Sequence, residues 1–168
     1  MTLNVTHRAT MTSDAALGSL VHPVLRGLAA YWESKRLDGA LPRLKDLDPP
    51  LEIPRLTAHM SLLVVEAGDP PRFRYRRMGS AIVQDRRHRR IKDATGHYAD
   101  EVDFHQPVTD VIGPFCEVVR NAHPYREYGQ YDSGDYALLH YEWVVLPLAG
   151  EDERVSFLMT GYVTFASE

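Results

Sequence analysis

His97, Asp100, Glu101, Asp103 and His105 come nearest to a chemically active cluster in this chain. Imidazoles and carboxylates ligate metals and move protons, but a metal site needs close spacing, such as H-x-x-x-H or a Cys/His set. These five are spread over nine positions without such a pair, and the chain's eight histidines form none elsewhere. A solvated loop leading into a helix, its acids near the positive end of the dipole, accounts for the same residues. No structural metal is expected, and a small enzyme built on residues 97–105 is the least favoured of three functional readings.

Nucleophilic catalysis finds no motif. There is no G-x-S-x-G elbow, and Cys116, the one cysteine, has apolar neighbours and reads as a small core residue. Neither G-x-x-x-x-G-K-[ST] nor G-x-G-x-x-G offers a phosphate cradle. Two basic stretches remain. Arg86-Arg87-His88-Arg89-Arg90-Ile91-Lys92 could meet an acidic surface, a phosphate or an RNA backbone, but a solvated loop whose charges repel aggregation is the favoured account. Arg72-Phe73-Arg74-Tyr75-Arg76 interleaves cations with aromatics, the pattern of a single-strand nucleic-acid platform. Strand alternation, however, sends Phe73 and Tyr75 to one face and the arginines to the other, with Arg77 and Met78 breaking the pattern. A half-buried strand is the simpler account, and the formal net charge of -4 gives no global attraction to polyanions, so nucleic acid is not an expected partner.

The elements that must position these residues follow from spacing and punctuation. In 168 residues there is room for one domain with an extension. Residues 1–16 carry no sustained apolar period and are expected to be a mobile tail. They also lack the layout of a secretory signal; with the lone cysteine, a cytoplasmic address is expected, and no apolar run is long enough for a membrane span. From Pro23, apolar positions Val24, Leu25, Leu28, Tyr31 and Trp32 form one helical stripe, with Gly39 as its stop and the helix running to about Leu37.

Prolines then make residues 41–59 an extended or turned connector, so that residues 17–59 comprise helix and connector and residues 60–168 the main domain. Strands are expected at 60–66, 72–78, 125–131, 136–148 and 155–165, short helices between 80 and 103, and a longer helix from about Pro107 to Asn121, kinked near Gly113 by Pro114. Runs of strands separated by helices favour an α+β fold with an antiparallel sheet.

The order of Trp32, Pro42, Asp48-Pro49, Ile53-Pro54, the run from Ser61 to Val65, Phe73 to Gly79, Thr95-Gly96 and Pro147-Leu148 resembles a small stand-alone family of PAS-type sensory domains with an N-terminal helix. The resemblance implies a five-stranded antiparallel sheet with the middle helices closing over one face. It places Arg76 and Gly79 on the family's Arg-x-x-Gly, as structural anchors for a loop or the connector. It also implies a ligand pocket between sheet and helices, for which Phe73, Tyr75, Phe104, Phe115, Val119, Tyr141, Trp143 and Met159, beside Gly161, are the candidates. Each of them would equally fill a core. The chain departs from the family at Arg89 to Gly96, where a glycine before the acidic residue is missing, and no histidine matches a haem-ligating position, so the cofactor is left unassigned.

The leading expectation is a non-catalytic sensory or regulatory module that binds a small organic ligand or a signalling protein. With no output domain after Phe165, its signal would leave by association. A ligand-free dimerisation module is the alternative. A homodimer through the N-terminal helix is expected, because that apolar stripe must be covered.

Overall fold

The computed structural model of the chain describes residues 4–85, 92–102, 108, 110–132 and 138–166. Its strands are β1 (Asn4–Thr12), β2 (Met60–Glu66), β3 (Arg72–Met78), β4 (Tyr125–Asp132), β5 (Leu138–Ala149) and β6 (Val155–Ala166). They form one antiparallel sheet in the order β1-β4-β5-β6-β2-β3. The fold is α+β, and the sheet has six strands where five were expected.

The additional strand is β1, which lies in the segment expected to be a mobile tail. It has few apolar residues, so hydrophobic periodicity gave no sign of it. What orders it is the free edge of β4: from Val5↔Tyr131 to Thr12↔Tyr125 the two backbones pair, satisfying groups that an open edge would leave to water.

Among the described residues four α-helices accompany the sheet: α1 (Pro23–Ser34), α2 (Pro49–Glu52), α3 (Ser80–Asp85) and α4 (Ile112–Asn121). Pro23 opens α1, where its missing N–H costs nothing, and the His22 Nδ1 caps Val24 N–H at 3.2 Å. The helix stops at Ser34, short of Leu37, and the chain reverses through left-handed Asp38 and Gly39. α4 starts at Ile112, so Pro114 falls in the first turn, whose N–H groups have no intrahelical acceptor. The kink expected at Gly113 therefore has no cause. No helix among the described residues is long and apolar enough to cross a membrane.

The sheet is covered on both faces. On the face we term inner lie Phe73, Tyr75, Tyr125, Tyr131, Tyr141, Trp143 and Val145, packed with Ile82 of α3 and with Phe115 and Val118 of α4. On the outer face α1 sets Leu25, Leu28 and Trp32, all fully buried, against Val144, Leu146 and Met159. Trp32 Nε1–H donates to the Pro147 carbonyl at 2.8 Å. Gly161 makes the close approach possible: a Cβ there would lie 2.6 Å from Leu28 Cδ1. The stripe expected to seek a second copy is thus buried on its own sheet, which removes the ground on which a homodimer through this helix was expected.

Candidate functional site

Most of the expected pocket residues come together on the inner face, but as a packed core. Phe115 stands between Phe73 (ring centroids 5.1 Å) and Trp143 (5.7 Å), and Trp143 meets Tyr125 edge-on at 5.3 Å. Phe73, Tyr75, Phe115, Tyr141 and Trp143 are all buried, with Val119 half-buried beside them. Met159 does not join this group. It points to the outer face, under α1, because the alternation of β6 sends its neighbour Leu158 inward. Phe104 lies outside the described residues, as do Asp103, His105 and all of the basic run except the exposed Lys92.

At the β1 end of the inner face, three strands assemble a polar cluster that no sequence signal announced. The buried Glu127 carboxyl accepts from the Tyr125 hydroxyl at Oε1 and from the Tyr141 hydroxyl at Oε2, both at 2.7 Å. Arg8 Nε–H donates to the Tyr141 oxygen at 3.1 Å and lies 3.7 Å from Glu127. Burial, and then the bond to Glu127, pushes both phenols well above their ordinary range. Gly129 lets the Tyr141 ring lie across β4, since a Cβ there would collide with it. Every hydroxyl in this trio has a partner, so the cluster is a satisfied network that fixes β1, β4 and β5.

The segment 97–105 is also occupied. Arg72 donates to Asp100 through Nε (2.9 Å) and Nη2 (2.8 Å), and its guanidinium lies 3.6 Å from the Tyr98 ring centroid. The bond to Arg72 holds the Asp100 carboxyl below its ordinary range. Among the described residues no three His, Cys, Asp or Glu side chains form a metal-binding group. Cys116 is half-buried and burial raises its thiol pKa.

The two residues expected as anchors have different surroundings. At Gly79 a Cβ would strike the Ala58 carbonyl and lie 2.8 Å from the Met60 carbonyl, which accepts its N–H at 2.8 Å. The Arg76 side chain is exposed, has no hydrogen bond or ion pair among the described residues, and lines a groove.

That groove lies between the connector and the part of the outer face that α1 leaves uncovered, with a volume of about 1030 Å³. Its floor is apolar: Met60, Leu62, Leu148, Phe157 and Met159. Around it stand Arg43, Lys45, Arg76 and Arg77, with Asp48 and Glu151 as the acids. Residues of the connector hold one wall in place through backbone contacts to β5, including Ala149 N–H to the Pro42 carbonyl at 2.8 Å. The other wall is made by an irregularity in β3. Leu62 pairs with Arg77 and Leu63 with Tyr75, leaving Arg76 as an extra residue in the ladder. A bulge of this kind puts two neighbouring side chains on one side of the sheet, and here they are Arg76 and Arg77, both exposed. The break in alternation at Arg77 and Met78 was visible in the sequence, and the bulge is its physical form.

Comparison with family models, with curated proteins and with solved structures finds no match to this chain.

Proposed function

We propose that this chain is a cytoplasmic, non-catalytic sensory or regulatory module of PAS type that works by holding a small organic ligand. The observation that carries the reading is the groove: a concavity of about 1030 Å³ with an apolar floor and a few polar groups at its edge has the size and chemistry of a small-molecule site. The architecture is in keeping with it. The strands at 60–66, 72–78, 125–132, 138–149 and 155–166 sit in one antiparallel sheet, with α3 and α4 closing its inner face. The ligand site in this reading is on the outer face, while the described part of the inner face serves as core. A signalling protein would then recognise the occupied form, for instance through the connector that forms one wall. Association through α1 has no part in the reading, since α1 is committed to its own sheet.

The experiment is a thermal-shift screen of the whole chain against a panel of organic acids, phosphates, neutral aromatics and amines, with native mass spectrometry of the protein as purified. A concentration-dependent rise in melting temperature with at least one class, or a retained small molecule, is the expected result. A protein that comes bare from its host and that no class stabilises would overturn the reading.

A further inference from the structure

We propose that the groove selects an organic anion with an apolar body, its carboxylate or phosphate held by Arg76 and Arg77, which the bulge places on one side of the sheet. The inference deepens the reading above and rests on it, since it names what a binding module of this shape would take.

Charge is the first argument. Several cations elsewhere on the fold meet acids: Lys35 with Glu52 at 2.6 Å, Arg72 with Asp100 at 2.8 Å, Arg126 with Glu142 at 2.7 Å. Around the groove, Arg43, Lys45, Arg76 and Arg77 form no ion pair among the described residues, although Asp48 and Glu151 share the same rim. Asp48 is occupied as the cap of α2, accepting Leu51 N–H at its carboxyl. In a chain with a net charge of -4, four such cations against two acids about one concavity leave a local excess of positive charge.

The bulge is the second and independent argument. A regular ladder would have set Arg76 and Arg77 on opposite faces of β3. The extra residue gives up regular pairing and puts two like charges together, an arrangement that is unfavourable until an anion lies between them. Guanidinium groups are suited to that task, because their planar forks match two oxygens of a carboxylate or phosphate at once. The third argument is the floor. Leu62 and Phe157 are half-buried, and behind them Met60 and Met159 offer flexible thioether side chains that adapt to an apolar guest. A bare inorganic anion would leave Leu62 and Phe157 in contact with water, and a neutral lipid would leave the arginines unmatched.

The test uses decanoate, decyl phosphate, decanol and inorganic phosphate as probes, each below its aggregation threshold, titrated into the full chain by calorimetry. Decanoate or decyl phosphate is expected to bind at one site per chain, and whichever binds tighter identifies the head group; decanol and inorganic phosphate are expected to bind more weakly by about tenfold or more. The double substitution R76A/R77A should weaken the anion by a similar factor, R76K/R77K by less, and R120A, on α4, not at all. Both groove arginines are exposed, so an unchanged melting temperature is expected to accompany the loss. Equal affinity for decanoate and decanol, or unchanged affinity in R76A/R77A, would overturn the proposal. If neither anion binds but another class in the thermal-shift panel does, this proposal falls and the binding-module reading stands; if no class binds, both fall.

Discussion

The two faces of the sheet are built from the same strands and end in opposite conditions. The described inner face is closed by aromatic packing, and its polar atoms at Tyr125, Glu127 and Tyr141 satisfy one another. The outer face is closed only where α1 lies on β5 and β6; toward β2 and β3 the connector stands off and a groove remains. What separates them is the kind of element laid on top. A helix presents a continuous stripe and seals the sheet, whereas a proline-rich connector has few free backbone donors, touches at isolated points such as Pro42 and Ala149, and leaves space. Concavity on this molecule is a consequence of where regular structure stops.

The largest effect should come from removing the seal. Deleting residues 1–38 takes away both β1 and α1 and bares Val144, Leu146 and Met159, which are at most 1% exposed. We expect a protein without a cooperative thermal transition, measured by circular dichroism. A folded monomer with a sigmoidal melt would mean that the outer face does not need its own helix, and the comparison of faces would lose its basis.

Next in size is the ion pair that ties α1 down. Glu142 is fully buried and accepts from Val21 N–H, from His22 N–H at 2.8 Å and from Arg126 at 2.7 Å. Glu142→Gln leaves the Arg126 charge, itself only 11% exposed, without its counter-ion, a loss of about 3–5 kcal/mol. Urea denaturation would check it; a loss below about 1 kcal/mol would show the site to be wet rather than buried. On the inner face the corresponding changes should be smaller. Gly129→Ala drives a methyl into the Tyr141 ring and should cost about 1–3 kcal/mol, and Tyr141→Phe, which removes one donor from Glu127, about 1–2 kcal/mol. Combining Gly129→Ala with Tyr141→Ala should cost less than the sum of the two, because the small side chain removes the collision.

What the sequence made legible follows from how each element is stabilised. Strands with an apolar alternation, such as Phe73 and Tyr75 in β3, were readable because their burial pattern is local. β1 was not, because its order comes from the backbone edge of β4 far along the chain, and the scattered β-branched residues Val5, Thr6, Thr10 and Thr12 are a weak hint of strand preference. The pocket candidates Tyr141 and Trp143 face inward, yet inward facing does not separate a lining from a core. Met159 was assigned to the wrong face for want of the register of β6. Arg8, Glu127 and Glu142 escaped notice because isolated charges in strands carry no motif, and most of the pairs they form span more than ten residues of chain. Arg77 was noticed only as a break in pattern, without the bulge that gives the break a meaning.

The smallest predicted effect concerns how the connector is held, and it is a matter of pH. The Glu52 carboxyl accepts from Lys35 Nζ at 2.6 Å, from the Tyr31 hydroxyl at 2.7 Å and from Asp48 N–H at 3.0 Å. The bond to Lys35 first, then that to Tyr31, brings its pKa from 4.5 down to about 2. A carboxyl with a lowered folded-state pKa favours the fold fully above its unfolded value, and that contribution fades as the pH falls from about 4.5 toward about 2. The group is solvent-exposed, so the effect is a slope to be detected rather than a collapse. Glu52→Gln should therefore flatten the decline of the urea midpoint across this window while leaving the rest of the acid profile, to which Asp100 also contributes, unchanged. Added salt should shrink the difference between the two proteins, since the pair with Lys35 is screened. Identical slopes for wild type and Glu52→Gln would mean that packing and the Asp48 N–H bond to the Tyr31 hydroxyl hold the connector, and that the wall of the groove needs no charge to keep its place.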